Sequence, residues 1–135
     1  MNKYEKYYYY NREQDEVVEC TWDEYVKVYP KFRDSNVIKC DKFSLGNGST
    51  DVDNSYGLKD YTISTICLMK DHGMVQNSTR PLIFETMIFS DDKDYDGYQE
   101  RYTCLNEAKK RHDEIILQVI RQEGNKWISM KKPLP

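Results

Sequence analysis

The chain has 135 residues, a net charge of −3, 39% hydrophobic and 32% charged residues. That length suits one domain with its own core, and the acidic balance excludes broad nonspecific binding to nucleic acid, which needs a basic surface. No apolar run reaches the roughly 18 residues of a membrane span, and Met1-Asn2-Lys3-Tyr4-Glu5-Lys6 lacks the apolar stretch of a signal peptide. The expectation is a single cytoplasmic domain over residues 1–135, loose at 131–135.

Tyr7-Tyr8-Tyr9-Tyr10 is β-prone, Asn11–Asp15 is turn-like, and Val17-Val18-Glu19-Cys20 is a second extended piece. Thr21 is placed to cap a short helix from Trp22 to Tyr29, with Asp23 and Glu24 in its first turn and Pro30 as its stop. Asn36 to Leu45 predicts a strand, and Gly46 to Gly57 an exposed loop rich in turn residues. Asp51 and Asp53 resemble the start of a calcium loop but lack its Gly and closing Glu. Asp60 to Met69 predicts a strand, and Lys70 to Pro81 a polar connection. Leu82 to Phe89 is the most apolar stretch, which predicts a central strand covered on both faces.

Ser90 to Gly97 predicts an acidic turn, and Tyr98 to Tyr102 an edge strand. Thr103 is placed to cap the long helix from Cys104 to about Gln122, with Gly124 as its stop. Leu105, Ala108, Ile115, Ile116, Val119 and Ile120 form its apolar stripe. Glu107 with Arg111, and Lys110 with Glu114, stand at the spacing of surface ion pairs. Trp127 and Ile128 are expected to pack back on the domain. The predicted fold is α+β: an antiparallel β-sheet of about four to five strands, packed by one long C-terminal helix and a short N-terminal helix.

The chain has four cysteines, Cys20, Cys40, Cys67 and Cys104, and no C-x-x-C pair; free thiols are expected. Only two histidines are present. His112 falls in the apolar stripe of the long helix, and Glu85 in the middle of the most apolar strand. A buried carboxylate needs a cation, a set of donors or a metal. One reading is a zinc site, because zinc takes imidazole nitrogen and carboxylate oxygen. His72, Glu85 and His112 would be three ligands, with Asp71 or a water as the fourth. The alternative is a satisfied core histidine, with Glu85 paired to Arg80, Arg101 or Arg111. A Cys–His nucleophile pair, Cys67 with His72 or Cys104 with His112, is a weaker arrangement.

Three segments together resemble a widespread family of small phage-encoded proteins. They are Ser64-Thr65-Ile66-Cys67-Leu68-Met69-Lys70-Asp71-His72, then Pro81-Leu82-Ile83-Phe84-Glu85-Thr86-Met87-Ile88-Phe89, then Tyr98-Gln99-Glu100-Arg101-Tyr102-Thr103 with Glu107-Ala108 and His112. The resemblance covers about residues 60 to 120 and includes Asp71, His72, Glu85 and His112. It departs from the family pattern at Met69 and Arg111, where that pattern has Gly. The family carries no assigned chemistry, but small proteins of this kind include anti-CRISPR proteins. The resemblance therefore implies a non-enzymatic inhibitor in the host bacterial cytoplasm. It would bind a defence protein, a type II RNA-guided effector nuclease above all, and block target-DNA binding, with zinc in a structural role. The acidic run Asp91, Asp92, Asp94 and Asp96 is the candidate partner-binding surface, with no direct contact to nucleic acid. Two other readings are a metal-dependent hydrolase acting on a nucleotide or nucleic acid, and a signalling-nucleotide sponge.

Overall fold

The computed structural model describes residues 5–32, 36–46, 58–71, 73 and 80–121. The fold is α+β. An N-terminal hairpin pairs β1 (Tyr7–Asn11) with β2 (Glu16–Cys20), and α1 (Trp22–Phe32) follows. A second antiparallel sheet of four strands has the order β3 (Val37–Gly46), β4 (Leu58–Cys67), β5 (Phe84–Ser90), β6 (Gln99–Tyr102). The chain ends its described part in α2 (Leu105–Ile120).

The tyrosine run of β1 is explained by burial on both sides. Successive side chains of a strand face opposite ways. Tyr7 and Tyr9 pack with Cys20, Trp22 and Tyr25. Tyr8 and Tyr10 join the core made by Ile38, Cys67, Ile83, Phe84, Tyr102 and Ala108. The hairpin turn needs one residue in the left-handed region, and Asp15 supplies it at φ 52°; Asp tolerates that conformation better than most residues. The Asp15 carboxylate then ties the hairpin to α2 by accepting from Lys109 Nζ at 2.6 Å.

Thr21 caps α1 as expected. Its hydroxyl accepts from Glu24 N–H at 3.2 Å, and the Glu24 carboxylate accepts from Thr21 N–H at 3.0 Å, a reciprocal capping box. Pro30 does not stop the helix, which runs on to Phe32. Proline's fixed φ is itself helical, so the chain continues past it, at the cost of the one bond its missing N–H would have made to the preceding turn.

In the four-stranded sheet Tyr61, Ile63, Thr65 and Cys67 of β4 lie on one face with Thr86 and Ile88 of β5 and Glu100 and Tyr102 of β6. α2 packs there, with Ile115 and Val119 against Tyr61, Ile63 and Ile88. The opposite face carries Ile66, Glu85, Met87, Phe89, Gln99 and Arg101. β5 is thus interior to the sheet and buried on both faces at Phe84, Glu85 and Thr86, but its far end is open, since Phe89 is 50% exposed. It also begins at Phe84 rather than Leu82. The Asp71 carboxylate accepts from the Leu82 N–H at 2.9 Å, so a side chain takes the donor that a strand ladder would have used.

One capping expectation differs at α2. Its N-cap is Cys104, not Thr103, and no side chain caps it. The loop 47–57, most of the 72–79 connection, the helix stop at Gly124 and the tail with Trp127 and Ile128 lie outside the described residues. Thr21→Ala is expected to cost about 1 kcal/mol of stability through loss of the capping box. Urea denaturation checks this, and an unchanged midpoint would contradict it.

Candidate functional site

The strand period separates the candidate zinc ligands. Glu85 lies opposite Ile66 on one side and Arg101 on the other, on the face away from α2. Its carboxylate accepts from Arg101 Nε and Gln99 Nε2, both at 2.8 Å. Of the three arginines considered from the sequence, Arg101 is therefore the partner found. His112 sits on the other side of the sheet, wholly buried under α2. Its Nδ1 is 2.7 Å from Thr65 Oγ1 and its Nε2 is 2.7 Å from Asp41 Oδ2. Asp71 is buried, with Oδ1 accepting from Gly73 N–H at 2.7 Å and from Leu82 N–H. His72 lies outside the described residues. The described members of the zinc set do not converge, because a sheet stands between Glu85 and His112. No group of three metal-binding side chains occurs among the described residues. The geometry of Glu85, Asp71 and His112 does not fit a shared zinc ion.

What the structure brings together instead is a polar chain between α2 and the sheet. Thr65 Oγ1 also lies 2.6 Å from Thr86 Oγ1. Asp41, His112 and Thr65 stand in the order of an acid, an imidazole and a hydroxyl. That order resembles a catalytic triad, but Thr65 and His112 are 0% exposed in mid-strand and mid-helix. A nucleophile must reach its substrate, so this arrangement serves to tie elements together. Beside it, Glu100 accepts from Arg111 Nε at 2.6 Å and from Arg111 Nη2 at 3.0 Å. The Tyr98 hydroxyl donates to the same carboxylate. Arg111 thus turns inward to β6, where the sequence spacing had placed it with Glu107 on the surface. Burial pushes the Glu100 carboxyl up, but the hydrogen bonds from Arg111 and Tyr98 outweigh it and hold the group below its ordinary value.

Asp41, Thr65 and Glu100 escape sequence reasoning. Asp41 reads as one polar residue in a strand, and Thr65 as an ordinary β-branched filler. The only signal was His112 itself, since a histidine in an apolar helical stripe requires two polar partners.

The acidic turn is ordered by its own carboxylates. Asp91 accepts from Asp60 N–H at 2.9 Å, Asp96 from Ser90 N–H at 2.9 Å, and Asp92 from Asp94 N–H at 3.0 Å and from the Tyr61 hydroxyl at 2.7 Å. Asp92, Asp94, Asp96 and Gly97, the last at φ 83°, have the spacing that opens a calcium loop. The closing Glu of such a loop would fall at Thr103, which has no carboxylate.

Two outcomes follow from this geometry. Because the folded state lowers the Glu100 pKa, the pair's contribution is present above the ordinary carboxyl value and is lost as pH falls through the folded one. Glu100→Gln is expected to cost about 3 kcal/mol near neutrality and to flatten the acid side of the stability–pH curve, as measured by urea denaturation across pH. Separately, Glu85→Gln is expected to leave the zinc content of the purified chain unchanged, as read by elemental mass spectrometry; zinc lost together in Glu85→Gln and in His112→Ala would contradict the placement of Glu85 and His112 on opposite faces.

No protein-family model matches the chain, and neither the curated proteins nor the solved structures hold a match to it.

Proposed function

We propose that the chain is an inhibitor from a mobile element that works by binding a protein of the host's defence, most directly a type II RNA-guided effector nuclease, without catalysis of its own. The observation that supports this is a mixed surface at one end of the four-stranded sheet. Leu58 is 61% exposed and Phe89 is 50% exposed, on the face away from α2. Exposed Asp60, Asp91, Asp94 and Asp96 stand at the same end, where β4 begins and β5 ends. Exposed apolar side chains interspersed with charged ones suit a protein interface. Asp91 and Asp96 each spend one oxygen on a backbone N–H, which fixes the turn before binding and lowers the ordering cost on association.

A surface of this sign complements the basic channel that such a nuclease uses to hold nucleic acid. The chain's net charge of −3 favours the same kind of partner and speeds encounter with it. Among the described residues nothing favours the hydrolase or the nucleotide-sponge reading over this one.

The test is binding of the purified chain to a purified type II effector, followed by target-DNA binding in a mobility-shift assay. The expected result is a stable complex that no longer binds target DNA. Phe89→Ala, and separately Asp94→Lys, are expected to weaken the complex about tenfold or more while leaving the chain folded. No complex at micromolar concentration, with DNA binding intact, would overturn the proposal.

A further inference from the structure

The two nitrogens of His112 face partners of different kinds. Nε2 meets a carboxylate oxygen of Asp41, and Nδ1 meets the hydroxyl of Thr65. A carboxylate only accepts, whereas a hydroxyl both donates and accepts. Asp41 therefore requires a hydrogen on Nε2. In the neutral ring Nδ1 is then an acceptor, and Thr65 must donate to it. Thr65 has one hydrogen, so its contact with Thr86 at 2.6 Å has only one remaining sense: Thr86 donates to Thr65.

We propose that Asp41 sets the direction of this whole buried chain, Thr86 to Thr65 to His112, from the surface of the outermost strand. The positions suit that role. The Asp41 side chain is 50% exposed, and the His112 side chain is 0% exposed. Thr65 and Thr86 are also 0% exposed, so no solvent reaches the chain except at its Asp41 end. β3 is an edge strand of the sheet, and Lys39 beside Asp41 bonds Asp113 of α2 at 2.7 Å.

The test is nuclear magnetic resonance of the full chain labelled with ¹⁵N-histidine, at a pH where the ring is neutral. It reads which His112 nitrogen carries the hydrogen. In the unaltered chain nearly all of the ring is expected as the Nε2–H form. In Asp41→Ala the bias is removed, and the Nδ1–H form is expected to rise to a clear fraction. Asp113→Ala, which removes a neighbouring carboxylate not bonded to the ring, is expected to leave the ratio unchanged. Predominant Nδ1–H in the unaltered chain overturns the proposal without need of any variant. So does a ratio untouched by Asp41→Ala, which would put the hydroxyls in control, or an equal shift in Asp113→Ala, which would make it a general field effect.

Discussion

Burying His112 and Glu100 under α2 is the constraint on which the rest of the structure depends. Each buried polar group left without a partner costs about 1–3 kcal/mol, a large share of the stability of a small domain. The partners come from every strand of the sheet: Asp41 from β3, Thr65 from β4, Thr86 from β5 and Glu100 itself from β6. A slip of one residue in any pairing would turn one of these side chains to the opposite face. The apolar contacts of Ile115 and Val119 with Ile63 and Ile88 supply the driving force for docking α2, but they would tolerate small shifts. The directional bonds do not, and so they fix where the helix lies.

The same side-chain alternation decides the fate of Glu85. One residue before Thr86, it must face away from α2, and there Arg101 and Gln99 meet it. The two faces of the sheet thus hold two separate polar arrangements, one sealed under a helix and one in which a buried carboxylate meets partly exposed donors. Leu58, Phe89 and the exposed aspartates lie elsewhere, where β4 begins and β5 ends. On the proposed function, that division keeps the binding surface apart from the polar ties under α2.

Much of the architecture was legible in the sequence because it is written in local patterns. The Thr21–Glu24 capping box, the long amphipathic helix and the extended runs of β3, β4 and β6 follow from spacing alone. The chain's polar partners were harder. His112 and Glu85 were both recognisable as residues in need of company, but which face each one takes depends on strand register, a long-range property. Treating them as neighbours ignored the period of two within Phe84-Glu85-Thr86. Arg111 shows the same limit: the i,i+4 spacing to Glu107 is visible in sequence, while the contact with Glu100 exists only once β6 lies beside α2. Thr103 was a good cap by type, yet helix start is set by backbone direction after β6, which placed Cys104 there.

The most direct test of the central claim is a double-mutant cycle on Thr65 and His112, with Thr65→Val, His112→Leu and the pair, each unfolded in urea. If the polar chain fixes α2 on the sheet, each single change strands the other partner, and the double variant loses less than the two singles combined, by on the order of 1 kcal/mol or more. Strict additivity would contradict the account. It would mean that the helix is held by apolar packing alone and that the buried chain is incidental to it.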